Sequence, residues 1–496
     1  MSKGNIIIKK YFEENMLVHS DIESFNNFIE NELQAIIEEN GDIEPTIIPH
    51  NIDEYKIRFD KITVKKPEIT EADGSTRVLY PNEARLRKIS YSAPVFMEVS
   101  AHIDGIQRES HKIQIANMPI MLKSKFCHLH GLNNEDLIKH GEDPSDPGGY
   151  FIINGTEKVL INIEDLASNQ VLVEKASTGT SEYTGKLFSE AGSYKIPHLL
   201  EKLKDGIFYF TFTRVKRIPV VLLLKALGLT KDEDIMKAIA LEDPTDLYVN
   251  IYEFTSIKTE EDALDLIAKK IGINQPKEIR LERVEEILNK YLMPHVGLEK
   301  EDQISKAFNI SKMIKKFVMV EKGILPEDDK DHFQNKRLKM SGDLLGDLFR
   351  VNLKVLIGDM LYNFQRIVKR GKFPSIKVII RDKLLTSRIY SSLATGNWVG
   401  GRKGISQRIQ RLNFLDTMSH LQRVVSPLSS SQENFDARAL HPTHLGRLCA
   451  VETPEGTNIG LRKNLALLSK ISQEVAEEGI FEMSRSYGLK PLQVKK

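Results

Sequence analysis

Cysteine is almost missing from this sequence, with two in 496 residues, Cys127 and Cys449. Two thiols make no disulfide framework and suit a reducing compartment, so a cytoplasmic location is expected. No apolar run approaches the ~18 residues that a membrane span requires. The N-terminus MSKGNIIIKKYFEEN has too short an apolar core and too much acid for a secretory signal. The phosphate-loop pattern G-x-x-x-x-G-K-[ST] is absent, which leaves Gly149 and Gly155 as turn residues of a hairpin. Cys127-His128-Leu129-His130 lacks the second ligand pair of a structural zinc site, and no metal is assigned to this chain. A charge surplus is lacking too: 70 Lys and Arg stand against 69 Asp and Glu, a net +1. That excludes binding of nucleic acid through bulk charge.

Charge is nevertheless unevenly placed. Between residues 400 and 470 there are ten Lys and Arg against five Asp and Glu, a local +5 on a remainder of −4. Such a basic district on an acidic body attracts phosphate locally while the rest resists non-specific adhesion. At ~150 residues per domain the length allows roughly three or four domains.

Along the chain, Ser20 and Glu23 form a capping-box pattern ahead of an apolar helical stripe, Ile22 to Ile36, which Gly41 ends. Alternation predicts strands over 55–65 and 94–104, with a turn at Asp104-Gly105. Tyr150–Ile153, Asn154-Gly155 and Lys158–Ile163 read as strand, turn and strand. Beyond Val171–Lys175 and Ile207–Val215, also strands, helices are expected at 218–229, 232–241, 259–271, 276–292 and 303–320. Glu327–His332 reads as a polar loop, Asp343–Arg370 as the longest helix and Ile376–Arg381 as a short strand. The fold class is α+β and multidomain.

The basic district carries the chemistry. Gly396–Gly404, GNWVGGRKG, is a glycine-rich loop in which Arg402 and Lys403 suit a nucleic-acid strand and the single tryptophan, Trp398, suits an anchor. Ile405, Ile409, Leu412, Met418, Leu421 and Val425 predict a helix over 405–425, with Gln407, Arg408, Arg411, His420 and Arg423 on its other faces. Thr453-Pro454-Glu455-Gly456 predicts a tight turn that fixes Glu452 and Glu455 in direction.

HPTHLGRLCAVETPEGTNIGL, residues 441–461, resembles the signature of the second-largest, β-like subunit of multisubunit DNA-directed RNA polymerases. The resemblance continues through Leu393–Trp398, Gly404–Gln407, Ser419–Arg423, Pro119–Ser124 and Gly148–Ile161, covering nearly the whole chain in order. It is closest to the N-terminal half (B″) of the subunit that some archaea divide between two polypeptides. The resemblance implies a protrusion over 1–171 and 333–395, a helix-rich lobe over 172–332, and a fork region over 396–496 with the start of the following external region. It also implies nucleic-acid contacts by Arg402, Lys403, Gln407, Arg411, His420, Arg423 and Arg447, with Glu452, Pro454, Glu455 and Gly456 ordering a loop. In bacterial relatives the matching region forms much of the rifampicin pocket. Gln410 and Val425 depart from that pattern, which puts drug binding in question but not the nucleic-acid role. Arg423 and Arg447 are expected to neutralise phosphate and brace the loop carboxylates.

Two-metal phosphoryl transfer needs clustered aspartates, and the basic district has no D-x-D-x-D run. The resemblance places Mg²⁺ on the largest subunit, so no cofactor and no catalytic residue is expected here. The implied partners are the C-terminal half of the same subunit, the largest subunit, template DNA, the RNA–DNA hybrid, and transcription factors at lobe and protrusion. No membrane is involved. The expectation is a natural division of the subunit, with truncation as the competing explanation. A free-standing nucleic-acid-binding protein on this fold is the second reading, and a self-sufficient nucleotidyltransferase the third.

Overall fold

The computed structural model describes residues 3–14, 17–49, 52–176, 180–192, 194–472 and 477–489. They build two apolar cores, one around a long helix and one within a sheet-plus-helix insert.

The first core begins with a four-stranded antiparallel sheet, ordered Asp42–Ile43, Tyr55–Val64, Ser92–Ile103, Ile106–Pro119. The alternation seen in the sequence is its cause: Val95, Met97, Val99 and Ala101 are all buried on one face. Asp104 and Gly105, both at positive φ, turn the last two strands into a hairpin. Asn154 and Gly155 do the same between Phe151–Ile153 and Thr156–Leu160.

The helix Ser341–Val368 buries Leu344, Leu348, Phe349, Leu353, Leu356, Met360 and Phe364 against this core. Its first amides are capped by another helix. Ser341 N–H donates to Asp21 Oδ1 at 3.5 Å and Gly342 N–H to Ser24 Oγ at 3.1 Å, both acceptors lying on His19–Asn27. A Cβ at position 342 would sit 2.2 Å from Ser24 O, so this approach requires glycine. The capping box expected at Ser20 and Glu23 does not form. The helix starts two residues earlier, with Val18 at its cap, and His19 Nε2 meets Glu23 Oε1 at 2.8 Å instead. A π-helical stretch, Phe28–Glu32, then carries the helix on to Glu38, and Gly41 follows at positive φ.

Ile376–Arg381 is not a strand. Ile376–Ile379 is one helical turn, followed by the helix Asp382–Thr395. The β-branched run suggested extended chain, but Ile376 and Ile379 are both fully buried, which the i, i+3 spacing of a helix achieves.

The second core sits under a five-stranded antiparallel meander, Val171–Lys175, Tyr183–Ala191, Tyr194–Lys202, Phe208–Phe212 and Val215–Pro219. Phe208, Phe210 and Phe212 point into it, and helices from Val220–Ala226 to Gln303–Glu321 cover it. The sequence reading began the first of these helices at Ile218; the strand instead runs through Pro219. It also passed over the helix Thr245–Glu253.

Two small sheets join the cores to the basic district. One is ordered Lys336–Lys339, Asn162–Leu166, Arg423–Val425, Arg462–Asn464, with the middle pair parallel. The other is Ser406–Arg408, Thr156–Leu160, Phe151–Ile153. Among the described residues no helix is long and apolar enough to cross a membrane.

Candidate nucleic-acid interface

The mixed sheet has two faces of opposite electrostatic character. Side chains alternate across a strand, so Asn162, Glu164, Val424 and Lys463 share one face, while Ile163, Arg423, Val425, Arg462 and Asn464 share the other. On the first face Glu164 is 2% exposed. Lys463 Nζ donates to Glu164 Oε2 at 2.8 Å, and Lys336 Nζ donates to Oε1. Burial alone would raise this carboxyl; the two ammonium groups outweigh it and hold its pKa below the usual value. Asn162 Nδ2 donates to Asp21 Oδ2 at 3.3 Å, yet burial still pushes Asp21 up to about 6.

On the second face two arginines lie near each other with no acid in an ion pair with either among the described residues. Among the described residues neither Arg423 nor Arg462 forms an ion pair, and Arg423 Nη2 donates only to Gln410 Oε1, at 3.3 Å. Burial and the neighbouring Arg462 lower the Arg423 pKa, against partial support from Asp416 and Glu452. A cleft of about 260 Å³ opens beside Arg462 and Val425, on the same sheet face as Arg423. Its charged lining is Arg402, Lys403 and Arg462, its apolar lining includes Ile161, Ile163 and Val425, and among the described residues no carboxylate lines it. Two unneutralised guanidiniums in partial burial attract an anion.

The structure sorts the other candidates by what they already touch. Trp398 is an anchor: at 7% exposure it donates from Nε1 to Leu344 O at 2.8 Å, and its backbone N–H bonds Arg402 O. Arg402 reaches the cleft but pairs with Asp165 at 2.7 Å, which also binds Lys195. Lys403 is exposed at the rim. Arg411 is committed to Glu157 and Asp146, both at 2.9 Å, and its guanidinium lies 5.0 Å from the Tyr150 ring. Gln407 Nε2 donates to Gly404 O.

His420 does not face solvent. It is 1% exposed, and its Nδ1 accepts from Gln410 N–H at 3.0 Å, which leaves the proton on Nε2, 3.3 Å from Gln407 Oε1. Burial and Arg423 lower its pKa to about 4, so it is a neutral brace for two glutamines. Arg447 belongs elsewhere: it donates to Thr443 O at 3.0 Å and lines a separate cleft with Lys336 and Arg337.

The continuous helix expected over 405–425 is broken. Ser406–Arg408 is a strand, Phe414–Leu421 a short helix capped by Asn413, and Arg423–Val425 a strand. Pairing of Ser406–Arg408 with Thr156–Leu160 claims the first segment, and Leu412, the centre of the supposed stripe, is 87% exposed. This break turns Arg423 onto the sheet face.

The turn expected at Thr453–Gly456 is displaced: the chain is irregular over 452–454 and the 3₁₀ turn falls at Gly456–Asn458, with Gly456 at φ +86°. Thr453 Oγ1 accepts from Gly460 N–H at 2.9 Å and donates to Arg462 O at 3.0 Å, tying the turn to the arginine strand. Glu452 accepts from the Ser419 hydroxyl, whereas Glu455 projects exposed from the start of the 3₁₀ turn Gly456–Asn458. Among the described residues no arginine hydrogen-bonds either carboxylate, so the bracing expected of Arg423 and Arg447 falls to Ser419.

Arg438 and Glu164 escaped the sequence reading, whereas Gly460 is a backbone-permissive glycine expected to allow a close approach of the main chain. Arg438 donates to four carbonyls, those of Thr457, Ile459, Ser430 and Gln432, and so closes the loop between the arginine strands. Gly460 lets that clamp in, since a Cβ there would lie 2.1 Å from Arg438 O. For Glu164 the only signal is an acid following the apolar run at Ile161 and Ile163. The acidic loop at 327–332 proves tied down: Asp328 pairs with Lys316, Asp331 with Lys336 and Asp329 with His441. Among the described residues no group of three or more His, Cys, Asp or Glu is placed to share a metal ion.

Comparison with known proteins agrees with this architecture. The family described as RNA polymerase beta subunit matches residues 16–387, and RNA polymerase Rpb2, domain 3, matches residues 407–471. DNA-directed RNA polymerase subunit Rpo2N of Methanocaldococcus jannaschii is 44% identical over 493 residues, covering 97% of this chain and 98% of the relative. Subunit Rpo2 of Saccharolobus solfataricus is 42% identical over 485 residues; the match takes in 96% of this chain and 43% of that longer relative. The chain thus spans less than half of Rpo2 and nearly all of Rpo2N, and it belongs to the RNA polymerase beta subunit family as the counterpart of the N-terminal half of the second-largest subunit.

Proposed function

We propose that the chain forms part of the DNA cleft and fork of a DNA-directed RNA polymerase and guides nucleic acid past an active centre completed by other subunits. The observation that carries the reading is the pair Arg423 and Arg462, neither in an ion pair among the described residues, with Arg462 lining a cationic cleft, in a chain whose relatives are named polymerase subunits. Arg423, Arg462 and Lys403 contact phosphate. Arg402, Gln407, Arg411 and His420 hold the loops that present them, because their polar groups are already bound within the protein. Glu452, Pro454, Glu455 and Gly456 keep the acidic turn rigid beside the arginine strand.

In this reading the meander and helices of the second core form the lobe (172–332), residues 1–171 and 333–395 the protrusion, and 396–496 the fork. Mg²⁺ and the carboxylates that hold it belong to the largest subunit. The polypeptide corresponding to the rest of Rpo2, the largest subunit, template DNA and the RNA–DNA hybrid are the partners, with transcription factors at lobe and protrusion. The location that follows is the cytoplasm. A free-standing nucleic-acid-binding protein is not favoured, because the likeness to polymerase subunits runs the length of the chain.

Purification of the tagged chain from its native cells, followed by mass spectrometry, tests membership: polymerase subunits should co-purify in stoichiometric amounts. Reconstitution with Arg423→Ala tests the site, since assembly should persist while elongation slows. Nucleotide incorporation by the pure chain alone would overturn the reading.

A further inference from the structure

The second cleft differs in chemistry from the one beside Arg423. It encloses about 670 Å³ at the Lys336–Lys339 edge of the mixed sheet. Lys336, Arg337, Arg447 and Lys470 supply its charge, Leu338, Leu465, Leu468 and Ile471 its apolar surface, and among the described residues no acid lines it. The guanidinium bonds of Arg337 and Arg447 go to backbone carbonyls, those of Gln334, Lys336 and Thr443. Both residues are exposed, and among the described residues neither forms an ion pair.

Unsatisfied apolar surface accompanies the charge. Leu467 and Leu468 are 60% and 64% exposed. The N-terminal helix Lys3–Glu14 lies alongside, where Lys470 Nζ sits 5.9 Å from the Tyr11 ring and Ser20 Oγ accepts from Ile471 N–H. That helix shows Ile6, Ile7 and Ile8 to solvent, each more than half exposed. Exposed aliphatic side chains massed around a cationic groove mark an interaction surface, and leucine-lined walls suit a protein segment better than a phosphodiester backbone, which finds no apolar partner there.

One feature of the relatives points to the occupant. The matched part of Rpo2 is 43% of that protein, and the Rpb2 domain 3 match ends at residue 471, among the residues that line the groove. We infer that this groove seats an acidic, apolar segment of the polypeptide region corresponding to the remainder of Rpo2, with leucine-type side chains against Leu465 and Leu468 and carboxylates against Arg337 and Arg447. This rests on the polymerase reading and adds the face and chemistry of one contact. It also assigns Arg447 to protein contact and leaves nucleic acid to the separate cleft lined by Arg402, Lys403 and Arg462.

Hydrogen exchange of the full chain, alone and mixed with the polypeptide corresponding to the rest of Rpo2, tests the inference without nucleic acid. Amides at 336–338 and 465–472 should gain protection, and Arg337→Glu with Arg447→Glu should weaken association at least tenfold. Arg337→Lys with Arg447→Lys should restore most of it. Association that leaves these amides unprotected overturns the inference and spares the polymerase reading, as does protection that appears only when a DNA–RNA scaffold is added. Failure of the two polypeptides to associate at all overturns both.

Discussion

The two faces of one small sheet make the sharpest contrast in the molecule. Behind the strands, Glu164 is enclosed by two lysines and its charge is cancelled within hydrogen-bond distance. In front, Arg423 and Arg462 stand together with no acid paired to them. The first arrangement holds Asn162–Leu166, Lys336–Lys339 and Arg462–Asn464 together, because removing one member of a buried charge cluster leaves the others stranded. The second gives the fold nothing, since like charges in partial burial repel. Charge that is balanced serves structure; charge left unbalanced at a cleft is available to a ligand.

The largest way to break the contrast is at its balanced side. Glu164→Gln strands Lys336 and Lys463 in the interior and should cost about 3–5 kcal/mol of stability, read as a large fall in Tm. The pH dependence has a definite sign. Because the Glu164 pKa is held below its unfolded value, its contribution is present above that unfolded value and is lost as pH falls through the lower, folded one. Acid titration of the variant should therefore lack the steep low-pH loss of the parent.

Next in size is Gly460→Ala, which places a methyl group against Arg438 O at a left-handed φ of +71°. A loss of about 1–3 kcal/mol is expected, with loosening of loop 426–461 visible as faster hydrogen exchange there.

On the unbalanced face the stability effects should be slight and the functional ones clear. Arg423→Ala should shift stability by no more than about 0.5 kcal/mol, because its guanidinium has a repulsive neighbour and no ion pair. In the assembled polymerase it should slow elongation about tenfold, equivalent to ~1.4 kcal/mol. An Arg411→Ala variant reverses that pattern: loss of its pairs with Glu157 and Asp146 should destabilise the chain while leaving the phosphate-facing charge intact.

A pH effect of opposite sign to that of Glu164 is expected at Asp21. Its carboxyl is raised by burial to about 6, above its unfolded value, so its ionisation opposes folding and stability declines as pH rises from about 4 to 6. Asp21→Asn should flatten that slope in a series of thermal melts.

Much of this architecture was legible beforehand, for physical reasons that can be named. Val95 to Ala101 alternate because one face is buried, Asn154-Gly155 turns because both residues tolerate positive φ, and the stripe from Leu345 to Phe364 repeats because a helix packs along its length. The site was harder. Between Ile405 and Val425 the apolar spacing fitted a helix, but Thr156–Leu160, remote in sequence, offers an open edge that draws Ser406–Arg408 into a strand. Local periodicity carries no information about a distant strand edge. Nor does composition distinguish Arg411, spent on Glu157 and Asp146, from Arg423, which is not; the acids that decide it lie far away in the chain. His420 looked like a surface histidine until the fold buried it against Gln407 and Gln410.

The central claim is that the unbalanced face meets nucleic acid. A photo-crosslinking residue at position 425, between the two arginines on the cleft wall, tests it in a polymerase assembled on a melted DNA scaffold bearing a short transcript. The account predicts cross-links to template DNA or RNA at that position, diminished when Arg423 and Arg462 are both replaced by alanine. Cross-links confined to neighbouring subunits, with the scaffold bound and transcribed normally, would contradict it.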